Sequence, residues 1–281
     1  MDRYFIMTVD VDPPVFSIPS FIVKDGTVLL LNLFDKYKLK ATFFVPSIVA
    51  ERFPDTINEI VERKHEVACH GLKHDPREIF LDVNKQIQTI RKATETIQSV
   101  TGLRPLGFRA PLFKINRKCW AALQENGYIY DSSVVSSPLF GSHKMFFSAK
   151  PFFLNTFETG KNNDLIEIPV SVNPFLLVPL GGTWMRIFGL KWCKVGVKIN
   201  LAFKTPVIFY IHPKDVVPRK YGKTWYYYRN TENCLRMLEE VIKYAKRSGA
   251  KFLTACELAE LYKRSPYKRH EIISNSNVSD L

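Results

Sequence analysis

Apolar and polar positions along the chain repeat with two periods that take turns. Tyr4 to Val9 is a short apolar, partly β-branched run and predicts a first strand. Thr27 to Tyr37 carries Val28, Leu31 and Phe34 on one helical stripe, and Ala41 to Val45 reads as a second strand stopped by Pro46. Val49 to Arg63 predicts a helix and Glu66 to Cys69 a short buried strand. Asp82 to Val100 is amphipathic, with Val83, Ile87, Ile90, Ile97 and Val100 on one face and Gly102 just past its end. Leu106 to Phe108, Tyr128 to Tyr130 and Val207 to Ile211 are further strands, followed by a helix from Thr231 to Arg247 and a strand from Lys251 to Thr254. Repeated β-then-α order predicts an α/β fold with a parallel sheet or barrel, because crossover helices join parallel neighbours.

Composition narrows this to one globular unit. The 281 residues are 46% hydrophobic and 24% charged, and no Pro/Ser/Gly-rich linker divides them. We therefore expect one domain over 1–264 and a polar tail over 265–281. With 40 Lys+Arg against 27 Asp+Glu the net charge is +13, which favours an anionic partner such as a phosphorylated carrier or a membrane surface. Basic residues gather at Lys191, Lys194 and Lys198, at Arg219, Lys220 and Lys223, and from Lys243 to Lys251. None of these falls in a helix-turn-helix, zinc-finger or RNA-recognition pattern, so nucleic acid is not the expected partner.

Five cysteines, an odd number without a C-x-x-C pair, predict reduced thiols. The first apolar run is interrupted by Asp10, and the longest, Val172 to Leu190, is broken by Pro174, Pro179, Gly181, Gly182 and Arg186. The expected location is the cytoplasm, with the inner face of the membrane as the place to meet a carrier.

The chemistry lies where polar residues end the apolar runs. Asp10 and Asp12 close the first, His70 follows the third, and Arg109, Asp131 and His212 follow later strands. In parallel α/β folds the C-terminal strand ends form one face, where active sites are built. Asp10 and Asp12 are two apart, so their carboxylates share a side and repel unless a cation or a shared proton relieves them. A turn ahead of Pro13-Pro14 is the competing reading. His70 and His74, at i and i+4, can converge on one metal and, with one carboxylate, leave positions open for water and substrate. Cys69 and the aromatic run Trp225 to Tyr228 read as packing.

Five segments in order resemble the motifs of the polysaccharide deacetylase family, the NodB-homology carbohydrate esterases of family four. They are Thr8-Val9-Asp10-Val11-Asp12, His70-Gly71-Leu72-Lys73-His74, Arg109-Ala110-Pro111, Tyr130-Asp131-Ser132-Ser133 and Ile211-His212-Pro213. The resemblance runs from about Tyr4 to Tyr262. It implies a distorted (β/α) barrel of about seven parallel strands and a divalent metal held by Asp12, His70 and His74. It also implies Asp10 as general base, His212 as general acid, Arg109 as the tether of the base and Asp131 as support for Arg109. Pro111 and Leu112 would touch substrate, with the N–H near Leu112 facing the oxyanion.

Most members place the two aspartates side by side, whereas Val11 separates them here, so the assignment of base and ligand between Asp10 and Asp12 stays open at this stage. The D-x-D form resembles a subgroup that includes peptidoglycan-type deacetylases and lipid-linked amino-sugar deformylases. Gly181 to Arg186 resembles a glycine-rich loop of exopolysaccharide-associated members. The metal is Zn²⁺ first, with Co²⁺, Ni²⁺, Fe²⁺ and Mn²⁺ accepting the same donors. The leading expectation is a metal-dependent N-deacetylase of an amino sugar or polysaccharide. The alternatives are a deformylase or deacetylase of a lipid- or nucleotide-linked amino sugar, and an inactive sugar- or anion-binding protein on the same fold.

Overall fold

The structure, a computed structural model, describes residues 2–13, 20–137, 139, 148–154, 165–218 and 229–264. The predicted tail 265–281, the aromatic run at Trp225, the basic cluster from Arg219 to Lys223 and His143 lie outside the described residues.

Nine strands form one sheet: β1 (Tyr4–Asp10), β2 (Thr42–Val45), β3 (Glu66–Cys69), β4 (Gly107–Phe108), β5 (Tyr130–Asp131), β6 (Phe152–Phe153), β7 (Ile166–Glu167), and, after the two-stranded hairpin β8 (Val172–Asn173) and β9 (Val178–Pro179), β10 (Val207–Ile211) and β11 (Lys251–Leu253). The path runs β10-β1-β2-β3-β4-β5-β7-β6, with β11 joined to the start of β1. Every pairing along it is parallel except that of β6 with β7. The sheet curls, and residues between β7 and β10 draw its two ends together: Ser171 N–H donates to Ile208 O (3.2 Å) and Tyr210 N–H to Leu180 O (3.2 Å). This is the parallel barrel-like α/β sheet expected.

β1 is its axis. Phe5, Ile6, Met7 and Val9 are fully buried, because helices cover one face of the strand and the barrel interior the other. Each such side chain contributes about 1.5–3 kcal/mol by leaving water. The covering helices are α1 (Phe21–Lys36), α2 (Ser47–Arg52), α3 (Pro54–Glu62), α4 (Val83–Thr101), α5 (Arg117–Glu125), α6 (Gly182–Phe188), α7 (Leu190–Ala202), the short α8 (Pro213–Val216), α9 (Thr231–Arg247) and α10 (Ala255–Arg264).

Three expectations change. The single helix over Val49 to Arg63 is two, because Pro54 occupies the first turn of α3 and cannot continue α2. The helix expected from Thr27 begins six residues earlier, at Phe21. The apolar stretch Val172 to Leu190 divides into the hairpin β8–β9 and α6, and the resembled glycine-rich loop is the entry to that helix, with Gly181 at its N-cap. No described helix is long and apolar enough to cross a membrane. Asp82 caps α4 by accepting from Lys85 N–H (3.0 Å), and Gly102 ends it with a left-handed φ of 70°, as its position in the sequence predicts.

Candidate active site

The candidate metal ligands come from two loops. Past β1 the pairing continues through Val11 N–H to Phe44 O (2.9 Å), which delivers Asp12 to the rim of the barrel. After β3 the chain turns at Gly71 (φ 82°) and again at His74, a non-glycine residue with φ of 60°. That conformation costs a residue with a Cβ about 1–3 kcal/mol and persists where the surroundings enforce it. Glu78 does so: its Oε2 accepts from Leu72 N–H (3.3 Å) and its Oε1 from Lys73 N–H (3.0 Å). His74 Nε2 thereby lies 3.0 Å and His70 Nε2 3.8 Å from Asp12 Oδ1. The donor atoms of the three residues lie within 4.8 Å of one another.

His70 Nδ1 lies 2.6 Å from the Arg109 carbonyl oxygen. As donor there it leaves the Nε2 lone pair for a cation. Burial pushes the His70 imidazole down to about 4, against the pull of Asp10 and Asp12, so the ring stays neutral. Burial raises the Asp12 carboxyl, but Lys214, His212 and His74 outweigh it and hold it well below the usual range. Two imidazoles, that of His70 neutral, and an ionised carboxylate suit a divalent transition metal.

Asp10 is placed differently. It is the last residue of β1, is buried, and its Oδ1 accepts from Arg109 Nη1 at 2.7 Å. Arg109, fully buried, also donates to Thr8 Oγ1 (2.8 Å), Ser132 O (3.0 Å) and Ser132 Oγ (2.8 Å), and its guanidinium lies 4.1 Å from the centre of the Phe44 ring. So held, it fixes one oxygen of Asp10. The choice that the D-x-D spacing left open is thereby divided by geometry: Asp12 joins the histidines and Asp10 joins the arginine.

His212 follows β10 and brings Nε2 to 3.7 Å from Asp12 Oδ2. Its Nδ1 lies 3.0 Å from Asp215 Oδ2, which also accepts from the His212 backbone N–H (3.0 Å). Asp215 Oδ1 in turn accepts from Arg186 Nη2 (2.7 Å) and Nε (3.1 Å). Burial raises the Asp215 carboxyl, and Arg186 and His212 more than reverse this, so it stays ionised. The six expected residues, Asp10, Asp12, His70, His74, Arg109 and His212, therefore share one site.

The expected contact between Asp131 and Arg109 is absent from the bonds formed by either residue. Asp131 instead accepts from Trp120 Nε1 (2.8 Å) and Ser133 Oγ (2.5 Å), and Ser133 Oγ accepts from Ala110 N–H (2.8 Å). Asp131 is thus a support for the Arg109–Pro111 backbone, joined to the Ala110 N–H through Ser133. Burial raises both its carboxyl and that of Glu167. Pro111 is buried beside Gly71, while Leu112 is exposed, with φ of 53°. The Leu112 N–H has no partner among the described residues.

Sequence reasoning missed four residues here. Lys214 Nζ bonds Asp12 Oδ2; Asp215, Glu78 and Glu167 position other groups. Glu167 had a signal, a carboxylate inside the apolar run Leu165 to Ile168. Arg186, at the end of the resembled glycine-rich loop, is buried against Asp215. Cys69 is buried as expected, its thiol pushed up to about 12 by burial.

Comparison with known proteins locates this arrangement. Residues 2–130 match the family model described as polysaccharide deacetylase, and 132–254 match a domain of unknown function, DUF3473. The two matches meet at β5, inside a sheet that continues through both. A peptidoglycan deacetylase of Helicobacter pylori is 27% identical over 92% of this chain and 90% of its own length. A peptidoglycan deacetylase-like protein, FGM2, of Gibberella zeae is 34% identical, but over 42% of this chain and 36% of that protein, so the match spans about a third of that relative. The crystal structure of a polysaccharide deacetylase homologue from Mycobacterium smegmatis superposes with a TM-score of 0.69 at 20% identity, covering 93% of this chain and 90% of that one.

Proposed function

We propose, from the match of residues 2–130 to the polysaccharide deacetylase family, that the chain is a metal-dependent hydrolase removing N-acetyl groups from the amino sugars of a glycan. The observation that carries this is the meeting of three groups of different chemistry: the Asp12–His70–His74 set, the Asp10–Arg109 pair and the His212–Asp215 pair.

Asp12, His70 and His74 would hold the cation, with Zn²⁺ the first expectation. When bound, such a metal polarises the amide carbonyl and acidifies water. Asp10, oriented by Arg109, takes the proton of the attacking water. The Leu112 N–H, exposed on its left-handed turn, is placed to donate to the oxygen that gains charge. An amine leaves poorly until protonated, and His212 supplies that proton from Nε2 while Asp215 anchors Nδ1. Retention of all ligands, base and acid supports an active enzyme over a binding protein.

The second reading is a carrier-linked amino sugar handled at the cytoplasmic face of a membrane. It is supported by the apolar tip Phe175–Leu176 beside the helix that carries Arg186, and by five free thiols.

Acetate and formate release should be assayed with zinc-loaded protein on glycan oligomers and on lipid- and nucleotide-linked amino sugars. Acetate from the oligomers is the expected result. Replacing His70 and His74 together by alanine should abolish stoichiometric metal binding while circular dichroism stays native. A double variant that binds one metal as tightly as the parent overturns the ligand assignment. A metal-loaded parent releasing neither acid overturns the enzyme reading.

A further inference from the structure

Away from the site, one face carries exposed apolar side chains that the proposed chemistry does not use. The turn of the β8–β9 hairpin exposes Phe175 (76%) and Leu176 (47%). It is pinned to α7, since Asn173 Nδ2 donates to Trp192 O (3.0 Å) while Asn173 Oδ1 accepts from Phe175 N–H (3.0 Å). Gly196 of α7 sits so close to Asn173 that a Cβ there would lie 3.3 Å from its Cα, which sets the hairpin directly on the helix.

A second exposed strip adjoins the hairpin at Trp192 and runs along α6 and α7. Trp184, Phe188 and Trp192 form a run of rings with centroids 6.1 and 5.1 Å apart, and Phe188 is exposed at its crest. Lys191, Val195 and Lys198 follow at i, i+4 and i+7, all exposed, while Cys193, Gly196, Val197 and Asn200 point into the protein. Lys194, between them, is instead engaged with Glu240 (3.3 Å).

We propose that this face, the Phe175–Leu176 tip with Phe188, Lys191, Val195 and Lys198, docks on an anionic lipid bilayer. Aromatic and aliphatic side chains at the crest would enter the interface, and the two lysines beside them would meet lipid phosphates. Charge favours this occupant: the protein carries +13 overall, and the exposed charges on this stripe of α7 are both positive. A second copy of the chain would bring like charges together. α6 links this surface to the catalytic acid, because Arg186 of that helix holds Asp215 and Phe188 lies two residues on.

Docking stands on surface chemistry and not on the deacetylase reading, so acetate release from a soluble substrate should be the same in every variant below. The full chain is sedimented with phosphatidylcholine vesicles, with and without phosphatidylglycerol. The parent should bind only the anionic vesicles and be released by salt. Phe175→Ser with Leu176→Ser, and separately Lys191→Glu with Lys198→Glu, should each weaken binding about tenfold or more. Lys243→Glu, a charge change on another helix, should not. A parent that ignores anionic vesicles, or variant pairs that bind like the parent, overturns the proposal. So does a parent that self-associates through this face without binding vesicles.

Discussion

The two sides of the site are built around buried arginine–carboxylate pairs that do different work. On one side Arg109 grips Asp10 itself, the proposed base; on the other Arg186 grips Asp215, which only then holds His212. One arginine acts directly and the other through an intermediary. The first pair lies on strand ends of the sheet, β1 and β4, whereas the second joins a seven-residue helix to a four-residue one. A fixed sheet can place a base directly. Short helices packed on its edge need a buried ion pair to keep a histidine in place.

The sharpest way to break this comparison is Asp10→Asn. It removes the base but leaves an oxygen for Arg109, so kcat/KM should fall by about 10² to 10⁴ while metal content, read by elemental analysis, stays at that of the parent. Loss of the metal in this variant, with Asp12→Asn retaining it, would exchange the two aspartates.

Asp215→Asn should instead show first in stability. It leaves Arg186 buried without its counter-charge, at a cost of about 3–5 kcal/mol in urea unfolding. Adding Arg186→Met should recover part of that loss without restoring the rate, because no charge is then left unpaired and His212 still lacks its anchor. If Asp215→Asn loses activity with unchanged stability, the pair serves catalysis alone and the contrast fails.

Lys214 tests the ground between the two sides. Its ammonium neutralises Asp12 and competes with any cation for that carboxylate. Lys214→Met should tighten metal binding by about tenfold, as measured by competition with a chromophoric chelator.

Acid sensitivity is the mildest test. The folded Asp215 carboxyl is held below its ordinary value, so below about pH 4 the unfolded chain takes up a proton that the folded one refuses. The stability this group gives is complete above that pH and is lost as pH falls further, by up to about 1.4 kcal/mol per pH unit. Asp215→Asn should therefore show a flatter stability profile on the acid side.

The first half of the chain declares its fold because β1, β2 and β3 are runs of four residues or more, each ended by a polar residue or by proline. β4 and β5 are marked by the apolar runs Leu106 to Phe108 and Tyr128 to Tyr130, whereas β6 to β9, of two residues each, are too short for any period to register and their pairing is imposed by the neighbours already in place. The same division governs the site. Asp10, Asp12, His70, Arg109 and His212 stand at the ends of apolar runs, where sequence position implies a shared face. Glu78, Arg186 and Asp215 act by contacts that only the assembled helices create. Asp131 supports Arg109 only indirectly, since Ser133 intervenes between it and the Ala110 N–H.

The pairing of β1 with β10 matches Thr8 with Tyr210 and Val9 with Ile211, so the residues that continue the register are Asp10 and His212. The proposed base and acid are brought together by one strand ladder whose partners are separated by about two hundred positions of chain. A ribosome releases Asp10, Asp12, His70, His74 and Arg109 long before His212 is made, so the candidate metal ligands precede the proposed proton donor. Closing so long a loop is slow and comes after the local β/α units have formed. Catalytic competence is therefore conferred in a single late step, and a partly folded molecule should hold metal without releasing acid from any substrate.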